Sequence, residues 1–79
     1  METFAFGLIC TCNPQYGESR EVVLVTDGIG VMGSNEQRFY AVTLDEPYQY
    51  FKAYTDQLVP GNSCLTIEEI IRLRKEAGV

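Results

Sequence analysis

Three sets of side chains carry whatever chemistry this sequence offers: glycines 28, 30 and 33, cysteines 10, 12 and 64, and two adjacent carboxylate pairs. Gly28-Ile29-Gly30-Val31-Met32-Gly33 has the spacing G-x-G-x-x-G directly after an apolar, β-branched run. Glycines so spaced serve a nucleotide when they open a helix whose N-terminus meets the phosphates. Only five residues separate Gly33 from Phe39, where β-forming residues resume, so a crossover helix has no room. Ser34 follows Gly33 with no lysine between, which departs from the other phosphate-loop pattern, G-x-x-x-x-G-K-[ST]. Hairpin geometry is the simpler reading. A ligand loop of Gly28, Gly30, Gly33 and Ser34 is the alternative, because a glycine-rich hairpin admits a ligand or a partner backbone at close range.

Cys10 and Cys12 share a face of an extended strand, and Cys64 is the third sulfur. A structural zinc site wants four nitrogen or sulfur ligands, and the sequence has no histidine to complete one. The cysteines are therefore expected to be reduced, metal-free apolar fillers of a core. A hairpin that placed Arg20 across from Cys12 would favour the thiolate there. Without histidine, Ser/His and Cys/His nucleophile pairs are excluded, together with the commonest general base. Asp45-Glu46 and Glu68-Glu69 both lie where a helix N-terminus attracts negative charge, so capping accounts for them. The expectation is a protein that is not an enzyme and uses no cofactor and no metal.

The elements that must position these groups follow from periodicity. Phe4, Phe6, Leu8, Cys10 and Cys12 alternate with their neighbours, which describes a strand with one buried face. Residues 13–19, with Pro14 and Gly17, form a turn. Residues 20–26, carrying Val22, Val23, Leu24 and Val25, should pair antiparallel with the first strand and lie centrally. Asp27-Gly28 signals a two-residue hairpin into a short third strand over 29–32, and residues 38–44 read as a fourth. Then Asp45, Glu46 and Pro47 resemble a helix start, and Tyr48, Phe51, Thr55 and Leu58 fall on one helical stripe that ends before Val59-Pro60-Gly61. Thr66 and Glu69 form a T-x-x-E capping box with Leu65 and Ile70 at the staple positions, and Arg72, Arg74, Lys75 and Gly78 suit the far end of that helix.

The resulting fold class is α+β in one domain, residues 1–79: an antiparallel β-meander of three to four strands over 3–44, then two helices, 46–58 and 67–77, packed on the sheet. The 79 residues hold one core at most, and a chain this small gains from docking or self-association. A net charge of −5, with the acids scattered, disfavours direct nucleic-acid binding. The apolar opening stretch follows acidic Glu2, lacks a basic segment and is about half the length of a membrane span, so it reads as a strand, with no membrane partner. An odd cysteine count fits a reducing, cytoplasmic setting.

Tyr40, Tyr48, Tyr50, Phe51 and Tyr54 crowd the fourth strand and the first helix. Tyr50, Ala53, Tyr54 and Gln57 would form a second stripe on that helix, and Tyr50, Tyr54 and Gln57 with Tyr40 are the candidate interaction residues. The function this favours is a small acidic non-catalytic protein-binding module, an inhibitor or regulator that docks on a larger protein or forms a homodimer. The alternatives are a small-ligand or nucleotide binder using the glycine hairpin, and an acidic decoy that blocks the nucleic-acid groove of a target enzyme.

Overall fold

The computed structural model describes residues 4–14 and 17–78; Thr3 of the expected first strand and Gln15 and Tyr16 of the first turn lie outside them. Alternating and β-branched residues form the first two strands, Leu8–Cys12 (β1) and Arg20–Leu24 (β2), which pair antiparallel with Cys10 opposite Val22 and Cys12 opposite Arg20. The apolar run of β2 is buried on both faces, as a central strand requires. The fourth expected strand is Gln37–Thr43 (β4), the other neighbour of β2.

Asp27-Gly28 does not reverse the chain. The short strand Ile29–Gly30 (β3) continues β2 along the same edge of β4, with the register slipping by two residues between the two ladders. Gly28 is required there for another reason: a Cβ on it would lie 2.7 Å from Cζ of Phe39, a core ring. The reversal comes later, where Val31 N–H donates to Glu36 O, Ser34 N–H donates to Val31 O and Gly33 takes a positive φ of 80°.

The expected helix over 46–58 is absent. Tyr50–Tyr54 is a strand (β5) on the far edge of β4, a 3-10 turn follows at Thr55–Gln57, and Leu58–Cys64 is a further strand (β6) on the outer edge of β1. The α+β class holds only in this form: a six-stranded antiparallel sheet with one C-terminal helix, in place of a three- to four-stranded meander with two helices. The tyrosine stripe was a coincidence of spacing. The same residues alternate as a strand, Phe51 and Ala53 facing one side and Tyr50 the other. Pro47 sits in a loop after a cis peptide bond. Pro60 is tolerated because β6 is an edge strand. Gly61 stands at its bulge, where a Cβ would come within 2.6 Å of Ile9 O.

Strands β5 and β6 are at opposite ends of the order β6–β1–β2–β4–β5, yet three residues join them. In a flat sheet those edges would be about 19 Å apart. A 3-10 link of this length advances only about 8 Å. The sheet must roll, and it thereby acquires an inside and an outside. Inside pack Cys10, Cys12, Val22, Leu24, Phe39, Ala41, Ala53 and Leu58. Outside, Val23, Val25 and Val42 are covered by Ile70 and Leu73 of the helix Ile67–Glu76 (α1). Each Val, Leu, Ile or Phe among them contributes roughly 1.5–3 kcal/mol on full burial.

Helix α1 begins where the capping box placed it. Thr66 Oγ1 accepts from Glu69 N–H at 3.3 Å, Thr66 N–H donates to Glu69 Oε1 at 3.5 Å, and Leu65 and Ile70 both join the outer cluster. Gly78, at φ 80°, ends it. No helix among the described residues is long and apolar enough to cross a membrane. Thr66→Ala should cost about 1 kcal/mol, because it orphans an amide of a short helix. A urea midpoint unchanged by this substitution would show that the cap contributes nothing.

Candidate functional site

A hollow lies at one end of the roll, beside the 44–49 loop. Cys12 and Phe51 supply its apolar surface, and Pro14, Glu18, Arg20, Thr43 and Gln49 line the rest of about 340 Å³. Three of its polar side chains, Arg20, Thr43 and Gln49, are already engaged. Arg20 donates to Asp45 O at 2.6 Å and to Pro47 O at 3.1 Å. Buried Thr43 Oγ1 accepts from Gln49 N–H at 2.9 Å and lies 3.1 Å from Pro47 O, its acceptor. These bonds hold the 44–49 loop shut against the sheet and leave little with which to orient a ligand.

Arg20 stands opposite Cys12 in register, as the hairpin required, but its guanidinium is spent on those carbonyls. Burial pushes the Cys12 thiol up, so the expected stabilisation of a thiolate by Arg20 is not what prevails. Cys10 is pushed up to about 11, first by desolvation, then by neighbouring Cys12 and Cys64, against a hydrogen bond from the Gly61 backbone that lowers it. Both are protonated core side chains on the inner face, and Cys64 is exposed. Among the described residues no group of three or more His, Cys, Asp or Glu could hold a metal ion.

The candidate interaction residues separate. Tyr40 and Tyr50 stack with ring centroids 5.1 Å apart and 10° between planes, and the Arg74 guanidinium lies 5.9 Å from the Tyr50 centroid. They belong to the packing beneath α1. Gln57 lies in the 3-10 turn, and its carbonyl accepts from Asn13 N–H at 2.7 Å, tying the turn to the end of β1. Tyr54 remains at the surface, half-buried and directly opposite Arg38.

That pairing brings Tyr54 to the glycine hairpin. Ile29 faces Arg38 from the other edge of β4, so Ile29, Arg38 and Tyr54 form one row across three strands, on the face that carries α1 but outside the cluster it covers. Ile29 is 51% exposed, and Met32, at the hairpin end, is 100% exposed. The Nε of Arg38 is buried and has no hydrogen-bond partner among the described residues. Of the ligand-loop glycines, Gly28 yields to Phe39, Gly30 has open space above it and Gly33 makes the turn; Ser34 Oγ accepts from Glu36 N–H at 3.1 Å. No helix opens after them. Sequence reasoning missed Arg38 and Ile29: alternation with Tyr40 and Val42 shows the face of Arg38, but the strand register that brings Tyr54 and Ile29 beside it is a long-range fact. Elsewhere, Glu18, Glu21, Asp45 and Glu46 line one depression beside Arg20.

No protein-family model, curated protein or solved structure matches this chain.

Two outcomes are expected from this arrangement. Tyr50→Ala, which removes the stack and the cation contact, should lower stability by about 2 kcal/mol, whereas Tyr54→Ala should cost roughly 0.5 kcal/mol. Urea titration of both variants checks this, and equal losses would contradict it. Secondly, because the Cys10 thiol is raised from 9.0 to about 11 by folding, the unfolded chain releases its proton first. That stability is fully present below pH 9 and is lost as pH climbs toward 11. The urea midpoint should fall over this window more steeply in the wild type than in Cys10→Ala, and parallel profiles would refute the assignment.

Proposed function

We propose that this protein is a non-catalytic protein-binding module that docks on a larger protein through the Ile29–Arg38–Tyr54 row and the Met32 tip, and acts on that partner as an inhibitor or regulator. The row carries the reading: an apolar, a cationic and an aromatic side chain stand in register on a face that α1 leaves free, beside a fully exposed methionine. Tyrosine, methionine and arginine are enriched at interfaces, and tyrosine and arginine dominate their energetics. Two core thiols held protonated, and an arginine bound to backbone carbonyls, support the non-catalytic half of the reading. A reducing, cytoplasmic setting belongs to the same proposal and is supported by Cys64 as an exposed free thiol.

The convergence of Glu18, Glu21, Asp45 and Glu46 favours a second reading, the acidic decoy in a basic groove. The two differ in salt dependence. A partner identified by crosslinking to the wild type, then purified and titrated directly, should bind Met32→Asp and Arg38→Ala at least tenfold more weakly while their urea midpoints stay close to wild type. Retention of full affinity by Met32→Asp would defeat the docking surface. Affinity that instead collapses between low and moderate salt and is indifferent to Met32 would support the decoy.

A further inference from the structure

The sheet surface is not the only place where large apolar side chains are left uncovered. Ile67 and Ile71 lie one turn apart on α1, 65% and 49% exposed, while Ile70, Leu73 and Ala77 face the sheet. At about 100° per residue, the flank centred on Ile71 carries Glu68 and Lys75 on its solvent side, and Ile67 and Arg74 on its sheet side. Glu68 stands three residues before Ile71 and Lys75 four after it, so the two charges are nearly equidistant from Ile71 along the axis.

That placement is self-complementary under one symmetry. The geometry points to a second copy of this chain as the occupant, with α1 packed antiparallel on α1 about a two-fold axis at Ile71. The axis sets Ile71 against Ile71 and Ile67 against the methylenes of Arg74, and brings Glu68 of each copy to Lys75 of the other. A parallel two-fold pairing would instead set Lys75 of each copy beside Arg74 of the other, two cations together, and Glu68 beside Ile67, so the charges select the antiparallel arrangement. Self-association through the open edge of β5 is opposed by Lys52 at the centre of that strand, since pairing about it would join two ammonium groups. The helix flank shares no residue with the Ile29–Arg38–Tyr54 row, and this inference stands whether or not that row binds a larger protein.

Two single helices bury less than the area typical of stable complexes, so the association is weak and concentration-dependent. Sedimentation equilibrium of the full chain up to about 1 mM reads it directly. The wild type should shift from monomer to dimer. Ile71→Asp should remain monomeric, and Lys75→Glu should raise the dissociation constant about tenfold. The double variant Glu68→Lys, Lys75→Glu should restore it to within about twofold of wild type. The rescue separates pairing from folding, because the double swap opposes the helix dipole at both ends and can only weaken α1 itself. A wild type that stays monomeric throughout, a dimer that survives Ile71→Asp, or a double swap no better than Lys75→Glu would each overturn the proposal.

Discussion

The rest of this structure depends on the three-residue link between β5 and β6. It connects strands at opposite ends of the sheet, and so it forces the sheet to curl until its edges approach. Curling gives a chain of 79 residues an inside that no single layer would provide. Phe39 is the largest side chain in that interior, and two of its surroundings are set by backbone: Gly28 gives way to the ring, and Ala53 opposite it on β5 leaves it space. The ends of the roll are tied by bonds to the link itself, Asn13 N–H to Gln57 O at 2.7 Å and Gln37 N–H to Thr55 Oγ1 at 3.2 Å. The link is thus bonded both to the end of β1 and to the start of β4.

The roll also determines what α1 does. A sheet closed on one side presents its other side to water, and Val23, Val25 and Val42 make that convex side apolar. A ten-residue helix is too short to be stable alone, so α1 persists by laying Ile70 and Leu73 on this surface, with its first turn set by Thr66 and Glu69. It covers the middle of the sheet and not the β3 end. The hairpin that carries Met32 is accordingly the place where the sheet outruns its cover.

Sequence patterns revealed the parts governed by local rules. The alternation around Cys10 and Cys12, the β-branched run of β2, the fourth strand and the capped C-terminal helix all rest on residues within a few positions of each other, and all are present. The 46–58 segment failed because its local signals conflict. Proline after two acids and a stripe at helical spacing argue for a helix, while Tyr50, Phe51 and Tyr54 are equally good strand residues. What decides between them is the free edge of β4 and the need of its inner face for Phe51 and Ala53, and neither is written in the segment. Asp27-Gly28 misled in the same way. Its glycine answers to the ring of Phe39 rather than to a turn.

The same distinction separates the candidate residues that became packing from those that became surface. Tyr50 and Tyr54 are four apart, which places them on one face of a helix and also on one face of a strand, so the error in secondary structure left their common side correct. Their fates diverge because a strand carries them farther apart than a helix does, about 13 Å rather than 6 Å. Over that distance Tyr50 reaches the shelter of α1 and the Arg74 guanidinium, while Tyr54 runs past it to the row with Arg38 and Ile29. The extended backbone, and not a change in residue type, makes one tyrosine part of the fold and leaves the other available to a partner.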